Sequence, residues 1–262
     1  MSRLIEGRDL RRAGRYREAT AVLREVLERA VAGIESVAAL NELGIVMKYT
    51  GDLDEAQRLY EEAVRILDAH RLRESAQAAD LLHNLAGLAH SRRELEAAEA
   101  LARAGIRVRL RLRPADSLTV SRDRAAFAAI LVDAGRPSEA VEVLNEVREV
   151  YVSIYGPVHH EIAVVLHNLG SAHAVLGDYD AAADCLQEAV AMKERVLGGT
   201  HPEIATTLHN LACVQLAHAR RQPASANLER CVAILASTVN PDHPTLVSAR
   251  RRLDAIRLRG PR

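Results

Sequence analysis

Apolar residues between Ile162 and Leu176 recur at spacings of three and four, and those between Ala181 and Val196 do the same. Each run predicts an amphipathic helix. Gly177-Asp178-Tyr179 separates the two; Gly suits the left-handed residue that ends a helix, and Asp suits the N-cap of the next. Leu197 to Pro202, with Gly198-Gly199, breaks the chain again, and Pro202 can open a further helix at its first turn. This two-helix unit repeats. His83-Asn84-Leu85-Ala86, His167-Asn168-Leu169-Gly170 and His209-Asn210-Leu211-Ala212 fall on one ruler of 42 residues, with Ala125-Ala126-Phe127-Ala128 between the first two and Asn41-Glu42-Leu43-Gly44 before them. Ala56, Ala98, Ala140, Ala182 and Ala224 follow the same ruler, as do Gly51, Arg93, Gly135, Gly177 and Ala219. A shorter spacer of 37 residues brings in Gly14 and Ala19. Such a period marks a repeat architecture in which each unit buries its face on its neighbours. One stretch reads locally as a strand: Ile106 to Arg113 alternates apolar and basic residues with period two. The register places it at the end of a second helix, before Pro114, where a lone strand has no pairing partner, so helix is expected there.

Composition changes this picture little. Of 262 residues, 35 are basic and 35 acidic, a formal charge of zero that argues against a generic nucleic-acid binder. With six Tyr, one Phe and no Trp, the core must come from Ala, Leu, Val and Ile, which suits helices packed closely through small residues. Only Lys48 and Lys193 are lysines. No run approaches the ~18 apolar residues of a membrane span, and Met1 to Arg15 lacks the apolar core of a signal peptide. Cys185, Cys213 and Cys231 match no zinc or redox spacing and are expected to be reduced thiols in a cytoplasmic protein.

The Leu-Gly/Ala pairs, the Gly14-Arg15-Tyr16 to Ala19 and Gly177-Asp178-Tyr179 to Ala182 turns, and the small residues Ala63, Gly105 and Ala189 resemble the tetratricopeptide repeat (TPR) family. The 42-residue period, the Leu-x-Asn-Leu-Ala helices and the Thr200-His201-Pro202 and Asp242-His243-Pro244 linkers are similar to its kinesin-light-chain class. Arg93, Ala126, Pro137, Ala219 and Arg221 depart from the pattern without shifting the register. The resemblance implies an all-α, right-handed superhelical TPR solenoid spanning 1–262. It would hold six helix pairs (1–33, 34–73, 74–115, 116–157, 158–199, 200–241) and a C-terminal capping helix, 242–262, with Arg250, Arg251 and Arg257 outward. No cap precedes the first pair, which would leave Leu4 and Ile5 open to a partner, a second copy or an upstream domain.

By that resemblance the first helix of each pair lines a concave groove. Its candidate ligand-binding residues are Arg8, Arg11, Arg12, Asn41, His83, Asn84, His90, His167, Asn168, Ser171, His209 and Asn210. Asn84, Asn168 and Asn210 form a ladder. An Asn amide both donates and accepts, so it could bond the backbone of an extended peptide, as the class resemblance implies; it could equally bond neighbouring helices and tie the repeats together. His83, His167 and His209 stand one residue earlier, but Ala125 interrupts the row and no third ligand is arranged for a metal. His159, His160, His201 and His243 read as linker residues, and His173 as core. Cys213, four residues from His209, forms a conceivable nucleophile–base pair, though a small packing residue is the plainer reading. No Gly-x-Ser-x-Gly, phosphate loop or His-Glu-x-x-His is present. The reading is a non-enzymatic scaffold or adaptor, without metal or cofactor, that holds a polar or acidic peptide or protein segment and touches neither nucleic acid nor membrane. The alternatives are a regulatory or sensor array of a signalling system, and an enzyme or metal protein using the groove His and Cys.

Overall fold

The computed structural model describes residues 3–30, 33–112 and 116–258. Among them are thirteen α-helices and no strand: α1 (Arg3–Arg12), α2 (Tyr16–Arg29), α3 (Ser36–Thr50), α4 (Leu53–Ala69), α5 (Ala76–Ser91), α6 (Leu95–Arg111), α7 (Ser117–Asp133), α8 (Pro137–Tyr155), α9 (His160–Leu176), α10 (Tyr179–Leu197), α11 (Pro202–Ala217), α12 (Arg221–Leu235) and α13 (Pro244–Leu258). Cα packing divides the chain into two compact units, Met1–Ile130 and Leu131–Arg262. Within each, helices pair antiparallel and the pairs stack, the arrangement of an all-α TPR solenoid.

The turns follow the chemistry the repeat predicts. Gly51 and Gly177 end α3 and α9 in the left-handed region. Asp52 and Asp178 cap α4 and α10 by accepting the N–H of Glu55 and Ala181. Two linker His residues are also caps: the Nδ1 of His159 and His201 accepts the N–H of Glu161 and Glu203, at 3.2 and 3.3 Å. Arg93 and Ala219, standing where other repeats carry Gly, keep the same left-handed turn, with φ of 64° and 58°.

Small residues let the paired helices touch. Ala56, Ala98, Ala140, Ala182 and Ala224 are completely buried. A methyl on Gly170 would meet the Leu186 side chain at 2.6 Å, and one on Gly44 would collide with the Tyr60 ring. First helices also contact each other from one pair to the next, α1 with α3 and α3 with α5, α9 with α11 and α11 with α13. Among the described residues no such contact joins α2 to α4 or α10 to α12. In each unit the first helices therefore form the closer-packed side.

The alternating stretch is helical through Arg111, as expected, with Arg109 turned inward to the buried Asp123; Arg113 and Pro114 lie outside the described residues. Two expectations are corrected here. Leu4 is not open: it packs on the core of the first unit, and Ile5 alone of the two is exposed. His173 is half-buried beside Asp178, at 3.8 Å, and is no part of the core. Arg250, Arg251 and Arg257 are exposed on α13 as expected; Met1 lies outside the described residues.

Candidate functional site

In the first unit α1, α3, α5 and α7 bring charged groups together. Glu42 is buried and receives Arg8 Nε at 2.8 Å and Arg11 Nε at 2.7 Å. Arg8 and Arg11 are therefore anchored by a carboxylate rather than loose peripheral charges; Arg12 is exposed. Asn84 is buried, and its Nδ2 donates to Asn41 Oδ1 at 2.7 Å. Beyond them Asp123, 4% exposed, takes Arg109 Nε at 2.8 Å on one oxygen and His83 Nδ1 at 2.9 Å on the other. Arg109 also donates to Asp80, which Arg122 shares at 2.9 Å. Burial alone would raise the Asp123 carboxyl, but His83 and Arg109 outweigh it and hold it low.

Beside this cluster is a hollow of about 230 Å³ lined by Lys48, His83, Gly87, His90, Asp123 and Ala126 with further small residues. Lys48 reaches it from α3, and a methyl on Gly87 would lie 2.9 Å from its Nζ. Burial and the charge of Arg11 lower Lys48 to about 8.

The second unit runs a hydrogen-bond chain through the corresponding places. Asn210 Nδ2 approaches His167 Nε2 and Ser171 Oγ, each at 3.3 Å. His167 Nδ1 is 3.1 Å from the buried Thr207 hydroxyl, which also takes Lys193 Nζ at 3.2 Å. Burial, with the Lys193 charge, lowers His167 to about 3, so this ring is neutral. Glu203 receives His160 Nε2 at 2.8 Å. Asn168 is half-buried on α9. His209 Nε2 lies 3.0 Å from Ser248 Oγ.

Asn84 reaches back 43 residues to Asn41, and Asn210 reaches back 43 to His167. Both ladder amides thus join one first helix to the preceding one. Ala126 cannot, and His83, the residue it would bond, turns to Asp123 instead.

The nucleophile–base reading of Cys213 is not supported. Its Sγ is 3.9 Å from His209 Nδ1, but burial pushes the thiol up and the imidazole down, opposite to what thiolate formation needs. No group of three or more His, Cys, Asp or Glu with metal-site geometry occurs among the described residues. Nor is any described helix long and apolar enough to cross a membrane.

Arg109, Asp123, Lys193 and Thr207 were not among the candidates, although the register signals them. Arg109 and Lys193 share a place with Leu67, Tyr151 and Leu235; Asp123 and Thr207 share one with Ala39, Leu81 and Val165. A polar residue in an otherwise apolar row is buried and must find a partner.

A sequence profile of the tetratricopeptide repeat family matches residues 6–69, 121–195 and 161–237. No curated protein matches the chain. Solved structures do. The nearly identical TPR-like repeats of a Podosopora anserina putative kinesin light chain are 25% identical over 77% of this chain and 95% of their own, with TM-score 0.53. BtubC (BKLC) from P. vanneervenii is 19% identical over 82% and 95%, TM-score 0.55. A Rap protein complexed with Competence and Sporulation Factor is 14% identical over 98% and 86%, TM-score 0.69.

Proposed function

We propose that this chain, which belongs to the tetratricopeptide repeat family and is of its kinesin-light-chain-like class, is a protein-interaction scaffold that holds an extended, polar or acidic peptide segment along its first helices. The observation that carries this reading is the polar row on the closer-packed side of each unit: Asn41, Lys48, His83, His90 and Arg122 in the first, His167, Ser171, His209 and Asn210 in the second. These side chains are half-buried, so they are oriented by neighbours yet partly accessible.

The charges favour an acidic segment. In the first unit the five cations Arg8, Arg11, Lys48, Arg109 and Arg122 face the three carboxylates Glu42, Asp80 and Asp123, leaving a cationic surplus. The second unit's row supplies neutral donors and acceptors, which suit backbone. Asn84 uses its amide nitrogen on Asn41 and retains a carbonyl oxygen that can accept a peptide N–H.

An array of extended peptides tests this. Acidic members should bind more tightly than their Gln and Asn counterparts, and the difference should shrink as salt rises. Asn84→Ala should cost about 0.5–1.5 kcal/mol of stability through the lost helix-to-helix bond, and calorimetry on the folded variant should show weaker peptide binding as well. Unchanged affinity with lowered stability would remove the Asn ladder from the binding surface. Absence of binding by any extended peptide would overturn the groove reading itself.

A further inference from the structure

The hollow in the first unit arises where the repeat breaks its own rules twice. Ala86 on α5 faces Ala102 on α6, at a place where Gly44 faces Tyr60, Gly170 faces Leu186, and other repeats carry Leu144 or Leu228. On α7, Ala126 and Ala129 stand over the same spot, and Ala126 occupies the ladder position that Asn holds in three other repeats. Two side chains that should fill the space are missing, and about 230 Å³ opens between α3, α5, α6 and α7.

The charges around the hollow do not cancel. Asp123 is paired with Arg109 and His83, and Asp80 with Arg109 and Arg122. Lys48 has no carboxylate within ion-pair distance among the described residues; its ammonium lies 5.7 Å over the ring of its neighbour Tyr49, and the other cation acting on it is Arg11. An ammonium taken out of water without a counter-charge is costly, and a bound carboxylate relieves that cost.

We infer that this hollow is a socket for one acidic side chain of a bound peptide, with Lys48 as its counter-charge and the Ala-lined wall receiving its methylene stem. Glu rather than Asp fits, because its longer methylene stem can lie on the apolar wall of Ala86, Ala102, Ala126 and Ala129 while its carboxylate reaches Lys48. The inference deepens the groove reading and rests on it for the peptide, but not for the carboxylate. The lowered Lys48 makes binding pH-dependent. Arg11 from α1, Tyr49 beside it, His83 and His90 from α5 and Asp123 from α7 set its field. Above about pH 8 the free amine loses its charge, so affinity for an acid falls; the bound acid raises Lys48 in turn.

Because Lys48 and Lys193 are the two lysines, carbon-13-labelled lysine reports on the intact chain with two signals. The probe is N-acetyl-glutamate N-methylamide, with the glutamine analogue and inorganic phosphate as controls. The glutamate probe should shift the Lys48 signal and raise its titration midpoint, while the buried Lys193 stays still and reports an intact second unit. Lys48→Gln should weaken an acidic peptide about ten- to hundredfold, with no loss for its Gln counterpart. Gly87→Ala, which displaces the ammonium without touching the core, should weaken it too. A Lys48 signal unmoved by tens of millimolar glutamate probe, or moved equally by the glutamine analogue or by phosphate, overturns the socket. If array peptides bind Lys48→Gln as well as the natural chain, the socket falls and the groove reading stands. If the glutamate probe moves Lys48 but no peptide binds, the groove reading falls and takes the peptide part of the socket with it, and the carboxylate site alone stands.

Discussion

Each unit buries one polar pair at the same two places of the repeat, and the two pairs are built differently. Arg109 precedes Asp123 by 14 residues, and Lys193 precedes Thr207 by 14. Elsewhere those places hold Leu67 with Leu81 and Tyr151 with Val165, all buried. Arg109 spreads its fork over two carboxylates; burial alone would lower it, but the bonds to Asp80 and Asp123 win and it stays charged. Lys193 has a hydroxyl, the Glu203 carbonyl at 3.4 Å and the Glu203 carboxylate only at 3.8 Å, and burial prevails and lowers it. A planar guanidinium can be matched by two carboxylates at once, whereas a point-like ammonium here is held mostly by dipoles. The first unit thus sets a guanidinium on two carboxylates at these positions, and the second sets an ammonium on a hydroxyl and a carbonyl with the Glu203 carboxylate farther off.

The largest test breaks the first pair. Asp123→Ala leaves Arg109 buried with one shared carboxylate and should cost about 3–5 kcal/mol in urea unfolding. Arg109→Leu with Asp123→Leu copies Leu67 and Leu81 and should recover most of that loss or exceed it. In the second unit, Thr207→Val should cost about 1–3 kcal/mol, since Lys193 keeps Glu203. Equal losses from Asp123→Ala and Thr207→Val would erase the distinction between the units.

The next test uses pH. Burial alone would lower His160, but the bonds to Glu161 and Glu203 outweigh it and raise the ring to about 9. Its contribution is therefore whole below its ordinary 6.5 and lost as pH climbs through 9. Glu203, against the effect of burial, is held at about 2 by His160 and then Lys193, so its contribution is whole above 4.5 and lost toward pH 2. His167, at about 3, favours the neutral ring, and stability falls as acid below 6.5 protonates the unfolded chain first. The second unit should lose stability on both sides of neutrality. The Arg109–Asp123 pair should lose it on the acid side only, as Asp123 is protonated. Amide exchange resolved by unit, from pH 2.5 to 9.5, would show this, and His160→Gln should flatten the alkaline loss.

The smallest effect sits in the turns. A side chain in the left-handed region costs roughly 1–2 kcal/mol, against about 0.5–1 kcal/mol for the extra entropy glycine loses on folding. Arg93→Gly in the first unit and Ala219→Gly in the second should each stabilise by a few tenths to 1 kcal/mol, seen as a raised Tm. Loss of stability in either would show that the Arg93 or Ala219 side chain supports its turn.

Much of this is legible in the sequence. The left-handed turns, the Asp178 cap, the buried Ala row and the helix pairs all follow from local chemistry repeated on a fixed period. Arg109 is legible only through the register, which sets it in the row of Leu67, Tyr151 and Leu235; read locally, the basic residues from Arg107 to Arg113 look alike and do not show which side chain turns inward. The ladder residues were legible as polar and aligned. Whether their amides face a ligand or a neighbouring helix depends on distances of a few tenths of an ångström, which spacing cannot supply.

The sequence by itself determined that the chain forms paired helices on a 42-residue period, because turn chemistry, small residues and apolar spacing agree in nearly every repeat. Only the tertiary structure decided which polar groups meet. Asp123 and Arg109 are on different helices, and Asn84 finds Asn41 through stacking of pairs, so these contacts exist only once helices from different parts of the chain are packed. The hollow beside Lys48 is likewise a property of packing: each Ala around it is ordinary alone, and the cavity appears because several small side chains converge where other repeats carry larger residues.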